Sequence, residues 1–217
     1  MWITKNYAIL KNMKYTELAT KEVTQKVIEA LGKRNVEAFA VESGSVALAK
    51  IKELIPKGAS VMNGASVTLE QIGFVDYLKE GKHGWNNLHE GIVAEKDPAK
   101  QSMLRKLALT SDYYLGSVHA LSETGEFIIA SNTGSQLSHI VFSSPNIIFV
   151  VSTKKIVPTL PDAMKRLLEH VVPLEDEHMK KKYGFGTQVN KIVTFSNENP
   201  MMKRKVRMIL VNEDLGF

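Results

Sequence analysis

The sequence predicts an α/β fold, a mixed, mostly parallel sheet flanked by helices. Short apolar segments of strand length alternate with segments of helical period, the pattern of strands joined by crossover helices. Within Asn146 to Ser152, the run Ile147-Ile148-Phe149-Val150-Val151 is apolar throughout, which marks a central strand covered on both faces. Size agrees: 217 residues with 44% hydrophobic and 24% charged content hide about 70% of the unfolded chain's surface on folding. One domain over residues 1–217 is expected, with residues 1–35 a helical N-terminal segment packed on it.

The elements follow in order. A helix is predicted from about Thr16 to Leu31, where Ala19, Val23, Val27 and Ala30 recur at helical spacing and Lys21, Glu22, Lys26 and Glu29 take the wet side. Gly32 ends it. Val36 to Val41 is a short strand. Ser43 or Ser45 caps a second helix, with Val46, Ala49, Leu54 and Ile55 apolar, and Pro56-Lys57-Gly58 breaks it. Ser60 to Asn63 is a strand that runs into a short helix from about Thr68, with Gln71 as its capping-box partner. Glu80 to Asp97, rich in Gly and Asn, is expected as a loop, and Pro98 to Leu109 as a helix. From Ser111 to Ala130, buried strands flank a turn at Glu123-Thr124-Gly125-Glu126. After the central strand come a helix over Pro161 to His170 and strands at Lys191–Phe195 and Val206–Val211.

Composition narrows the function. The net charge is +5, but its clusters, Lys180-Lys181-Lys182 and Lys203-Arg204-Lys205 with Arg207, are not interleaved with aromatics. At 7% aromatic content the chain has no stacking platform, so these read as solvated surface rather than a nucleic-acid interface. Cysteine is absent, which removes thiolate zinc, an iron–sulfur cluster and a thiol nucleophile from this chain. No apolar run reaches the roughly 18 residues of a membrane span, and the start lacks the apolar core of a secretory signal; a cytoplasmic setting without membrane partners is expected.

Three polar bends carry the candidate chemistry. In Asn63-Gly64-Ala65-Ser66-Val67-Thr68-Leu69-Glu70-Gln71, a strand turns through small residues into a helix. Free N–H groups there favour an anion, and Gly64 and Ala65 let a ligand approach the backbone; a bare tight turn has the same spacing. In Ser122-Glu123-Thr124-Gly125-Glu126, Glu123 is a candidate general base or nucleophile, or a solvated turn residue. Ser131-Asn132-Thr133-Gly134-Ser135-Gln136 offers hydroxyls and amides for a sugar, phosphate or carboxylate, and equally the residues any turn needs. Ligands of open α/β sheets settle at the carboxyl ends of strands, so the bends are expected to share one pocket. His83, His89, Asp76 and Glu90 lack the tight spacing of a metal site, and no metal is assigned. Serine-hydrolase and nucleotide-triphosphatase motifs are missing.

Taken in order, the stretch from Asn63 to Gly73, Ser122 to Glu126, Phe127 to Gly134, and Pro145 to Ile148 through Lys155 to Pro158 resemble the LUD (lactate-utilisation) domain family. The ending, Pro200 through Val211 to Phe217, resembles that of its short, stand-alone members; the resemblance spans about Val36 to Phe217. It implies a fold like that of ribose-5-phosphate isomerase, glucosamine-6-phosphate deaminase and coenzyme A transferases, which bind phosphorylated or acyl substrates at strand ends. It also implies association with an iron–sulfur and flavin system that oxidises lactate to pyruvate; here a cluster would have to sit on a partner. By analogy with coenzyme A transferases, Glu123 would be the catalytic carboxylate. The implied ligand-binding set is Asn63, Gly64, Ala65, Ser66, Thr68, Glu70, Thr124, Gly125, Ser131, Asn132 and Gly134, facing a small anionic metabolite or cofactor not otherwise identified. Three functions follow: a lactate-utilisation protein binding an anion within an oxidising complex, an isomerase or acyl/coenzyme A transferase using Glu123, or a non-enzymatic assembly subunit of an iron–sulfur or flavin oxidoreductase.

Overall fold

The computed structural model describes residues 15–217; the first part of the predicted N-terminal segment, residues 1–14, lies outside the described residues. The chain opens with α1 (Lys21–Gly32), β1 (Val36–Val41), α2 (Gly44–Leu54), β2 (Ser60–Asn63), α3 (Val67–Gln71) and α4 (Phe74–Lys79). It continues through β3 (Asn86–Asn87), α5 (Leu88–Ala94), α6 (Pro98–Leu107), β4 (Tyr113–Gly116), β5 (Ala120–Ser122) and β6 (Phe127–Ser131). The last third holds β7 (Asn146–Ser152), β8 (Ile156–Val157), α7 (Leu160–Arg166), α8 (Val172–Tyr183), β9 (Lys191–Phe195) and β10 (Lys205–Val211).

The strands sort into two sheets. Six of them, in the order β1-β10-β7-β4-β2-β3, pair in parallel. The other four, in the order β8-β5-β6-β9, hold the antiparallel pairs β5–β6 and β6–β9 and the parallel pair β5–β8. The fold is thus α/β, and its mixed character belongs to the smaller sheet.

β7 occupies the interior of the large sheet, with Ile147 opposite Val206 of β10 on one side and Tyr114 of β4 on the other. Its side chains divide by the two-residue period of a strand. Ile147, Phe149 and Val151 join a core shared with α1 (Val27, Leu31) and with Phe127 and Ile129 of the small sheet. Ile148 and Val150 face the other way, into a core shared with Ala47 and Ile51 of α2 and Leu69 of α3. Aromatic rings join the sheets: Phe127 stacks on Phe195 with centroids 4.6 Å apart and meets the edge of Phe149 at 5.4 Å. Burying each such side chain stabilises the fold by roughly 1.5–3 kcal/mol.

Three segments differ from the sequence expectation, each for a local reason. Glu80 to Asp97 is not one loop, because Asn86 pairs with Ser60 as an edge strand and α5 follows. With Ile92 the one buried residue of α5, no helical stripe is visible there. The helix expected to stop near His170 instead runs on to Tyr183. A π-helical turn over Leu167–Val171 widens the coil just before Pro173, whose ring would strike the carbonyl one turn back in an unbroken α-helix. The short helix after β2 starts one residue early: the Ser66 hydroxyl, not Thr68, accepts from Leu69 N at 3.3 Å. Gln71 Oε1 instead accepts from Gly216 N at 2.6 Å, tying the helix to the last residues.

Candidate functional site

In a parallel sheet all carboxyl ends lie along one edge. β2, β4 and β7 end there in Gly64–Thr68, Ser117–His119 and Thr153–Lys155. Residues from all three segments, the Ser131–Gln136 bend after β6, α8 and the pair Gly216-Phe217 enclose a cavity of about 480 Å³. A π-helical turn over His139–Ser143 and the one over Leu167–Val171 contribute apolar wall, through Ile140 and through Leu167 and Val171.

The turn after β7 buries two adjacent lysines, and they differ. Lys154 is paired: its ammonium meets the Asp214 carboxylate and donates to Gly216 O at 2.8 Å. Lys155, 4% exposed, has only neutral acceptors among the described residues: Thr68 Oγ1 and Ser117 Oγ, each at 3.1 Å, and Val118 O at 3.3 Å. Burial, reinforced by the positive charges of Arg166 and Lys154, holds its amine well below the usual lysine range. Taking a charge out of water costs several kcal/mol, and here no carboxylate offsets it among the described residues. The amine therefore sits on the cavity wall either neutral and nucleophilic or charged and in want of an anion.

Two further titratable groups share the wall. His119 Nδ1 accepts from Ala130 N at 3.1 Å, which leaves the ring hydrogen on Nε2. Burial, with Lys155 and Arg166 nearby, lowers its pKa to about 3, so the ring stays neutral. Tyr114 stacks on His139 with centroids 4.7 Å apart, and burial raises its phenol, which remains protonated. Its hydroxyl occupies the space that a Cβ on Gly64 would take, so glycine is required there for close approach. Glu175 of α8 also lines the cavity, with its carboxylate 3.3 Å from His178 Nδ1.

The cavity gathers two of the three bends. Gly64, Ala65, Ser66 and Thr68 line it from one side, Ser131 and Asn132 from the other. Asn63 stands behind the wall, its Nδ2 donating to Gly64 O at 3.2 Å and its Oδ1 without a partner among the described residues. Gly134 bonds N–H to Ser131 Oγ at 2.9 Å and shapes that bend through a φ of 87°. Glu70 points to solvent beside Lys182, at 3.3 Å.

The third bend is elsewhere. Glu123 Oε2 accepts from Lys26 Nζ of α1 at 2.8 Å, Thr124 O accepts from Arg34 Nε at 2.7 Å, and Gly125 packs on Ala30. This corrects the expectation of a single pocket. The Glu123 turn and Ser131 lie at opposite ends of β6, separated by roughly 13 Å of strand.

The sequence reading passed over Lys155, Tyr114 and Ser117. Lys154-Lys155 directly after the most apolar strand was the available signal, since a parallel strand's carboxyl end is where ligands settle. The histidine-bearing segment at 83–90 makes structure instead. His83 Nδ1 accepts from Trp85 N at 3.0 Å and its ring stacks on Trp85, and no cluster of three metal-type ligands occurs among the described residues. A second cavity of about 390 Å³ over α1 and β1 has only the exposed pair Lys21 and Glu42 as its charges.

No helix among the described residues is long and apolar enough to cross a membrane. No curated protein matches the chain. Its fold is similar to the crystal structure of a duf162 family protein from Deinococcus radiodurans, with a TM-score of 0.54 and 13% identity over 90% of this chain and 100% of that one. The model of the LUD domain matches residues 24–196, from within α1 to the end of β9, and so takes in β2, β4, β6 and β7 and the bends that follow them around the Lys155 cavity, while β10 and Gly216-Phe217 lie beyond it. The chain belongs to the LUD-domain family.

Proposed function

We propose that this LUD-domain, lactate-utilisation-related protein holds a small anionic metabolite, a carboxylate or a phosphate, in the cavity beside Lys155. One observation carries the reading: a buried amine on the cavity wall, surrounded by neutral oxygens and influenced by two further cations. An anion bound there offsets a charge that the protein's own carboxylates leave uncompensated, and charged hydrogen bonds of this kind contribute roughly 1.5–3 kcal/mol each. Hydroxyls of Ser66, Thr68, Ser117 and Ser131 around the same space suit the oxygens of such a ligand.

Oxidation of lactate or a related hydroxy acid needs an electron acceptor. The chain has no cysteine to ligate an iron–sulfur cluster, and its described residues form no other cluster of metal-type ligands, so they do not fit that group. The proposal gives this chain the binding and orientation of the anion and gives redox chemistry to an iron–sulfur or flavin partner. Glu123 is left out, because its carboxylate is ion-paired with Lys26 away from the cavity.

A thermal-shift screen of lactate, pyruvate, sugar phosphates, nucleotides and acyl-coenzyme A tests the reading. A ligand at about 100 times its Kd stabilises by about 2.7 kcal/mol, worth roughly 5–10 °C in a chain of this size. At least one anion is expected to raise the melting temperature of the unaltered protein and not of Lys155→Met. Failure of all of them, or equal shifts in both proteins, contradicts it.

A further inference from the structure

We propose that Lys155 is a covalent residue, its amine condensing with the ketone of a small 2-oxo acid to form an imine in the cavity. The proposal rests on the anion-site reading above and adds to it the class of ligand and the bond made.

The amine has what that reaction needs. It is buried in the wall of the cavity, so little water reaches it. It makes no ion pair among the described residues, and burial disfavours its charged form and so favours the unprotonated amine, the state that attacks carbonyl carbon. Lys154, one residue away and equally buried, is held by Asp214 and Gly216 and has no such freedom. Two of the three groups around Lys155 Nζ are the hydroxyls of Thr68 and Ser117, both cavity-lining, which rotate and exchange donor for acceptor roles. Either can turn aside to free the nitrogen lone pair, then carry a proton between nitrogen and oxygen.

The bookkeeping of atoms is closed. The nitrogen lone pair forms a C–N bond to the ketone carbon while the C=O π pair moves onto oxygen. A proton passes from nitrogen to that oxygen through a hydroxyl, giving a carbinolamine. The C–O bond then breaks as the oxygen takes the remaining N–H proton through the same hydroxyl; one water leaves, and the neutral imine takes up a proton from solvent to become the imine cation; no oxidant or reductant enters. The ligand class follows from the surroundings. A ketone supplies the electrophile, and a carboxylate on the next carbon supplies the negative charge that the imine cation, Lys154 and Arg166 favour. Hydroxyls at Ser66 and Ser131 match its remaining oxygens.

The test uses pyruvate, the smallest 2-oxo acid, with the unaltered full chain. Sodium cyanoborohydride reduces any imine to a stable amine, read by intact mass and peptide mapping, while calorimetry without reductant measures binding separately. The expected result is one adduct per chain, a gain of one pyruvate less one oxygen atom, located on Lys155. Lys155→Arg, which keeps a charge but cannot form the bond, is expected to lose the adduct; mapping on the unaltered chain decides the matter if that variant fails to fold. Binding without an adduct on Lys155, or adducts spread over exposed lysines, overturns the covalent role and leaves the anion site standing. Neither binding nor adduct overturns the proposal and also removes pyruvate from the site's ligands.

Discussion

Lys155 Nζ lies 3.1 Å from Thr68 Oγ1, although the two residues are 87 positions apart in the chain. That contact joins the turn after the central strand to the first turn of the helix after β2, and Gly216 closes over both. At a φ of 66°, a side chain at Gly216 is strained, and its Cβ would strike the Thr68 hydroxyl and come within 2.8 Å of Lys155 Nζ. Gly216→Ala is therefore expected to cost roughly 1–3 kcal/mol in urea unfolding and to weaken whatever ligand the cavity holds. A neutral effect on both would mean that the last residues do not close the cavity.

Lys155→Met removes the amine and keeps most of the stem's volume. Because the charge has no carboxylate partner among the described residues, its loss is expected to leave the melting temperature unchanged or higher. A fall of several degrees would show that the three neutral hydrogen bonds stabilise the fold more than the buried charge costs.

Glu123→Gln separates the two polar regions. The ion pair with Lys26 joins a 63% exposed lysine to a 23% exposed glutamate, and such pairs contribute about 0–1 kcal/mol. Stability is expected to fall by no more than that, with ligand-induced shifts retained in full. Loss of ligand response in a folded Glu123→Gln protein would return catalysis to that turn.

Acid should unfold the protein early. Burial lowers His139 and His170 to about 4, below the roughly 6.5 of an unfolded histidine. Folded-state pKa values below the unfolded value mean that the unfolded chain takes up protons first. Stability is thus fully present above about pH 6.5 and drains as pH falls toward 4, by up to about 1.4 kcal/mol per unit for each ring. Urea unfolding at pH 5 is expected to show roughly 2–4 kcal/mol less stability than at pH 7. Equal midpoints at the two pH values would place these rings in water.

Much of this architecture is legible in the sequence. The apolar run at 147–151 announces a strand buried on both faces, and the alternate side chains of β7 enter both cores. The bends at Ser66 and Ser131 are legible as strand-end loops because each follows an apolar strand directly. Glu123 misleads because a turn glutamate beside glycine has the same local signature whichever end of its hairpin faces the cavity; only counting along β6 separates it from Ser131. Lys155 is hidden for the opposite reason. Lysine is normally a surface residue, so the lysine pair after β7 marks a strand end without reporting that Gly216 and helix α3 fold over Lys155.

The central claim is that Lys155 recognises negative charge in the cavity. Its most direct test is calorimetric titration of the best anion from the thermal-shift screen into the unaltered protein and into folded Lys155→Met. The account predicts an affinity roughly 10- to 100-fold lower in the variant, the loss of one charged hydrogen bond. Equal affinities in the two proteins would contradict it.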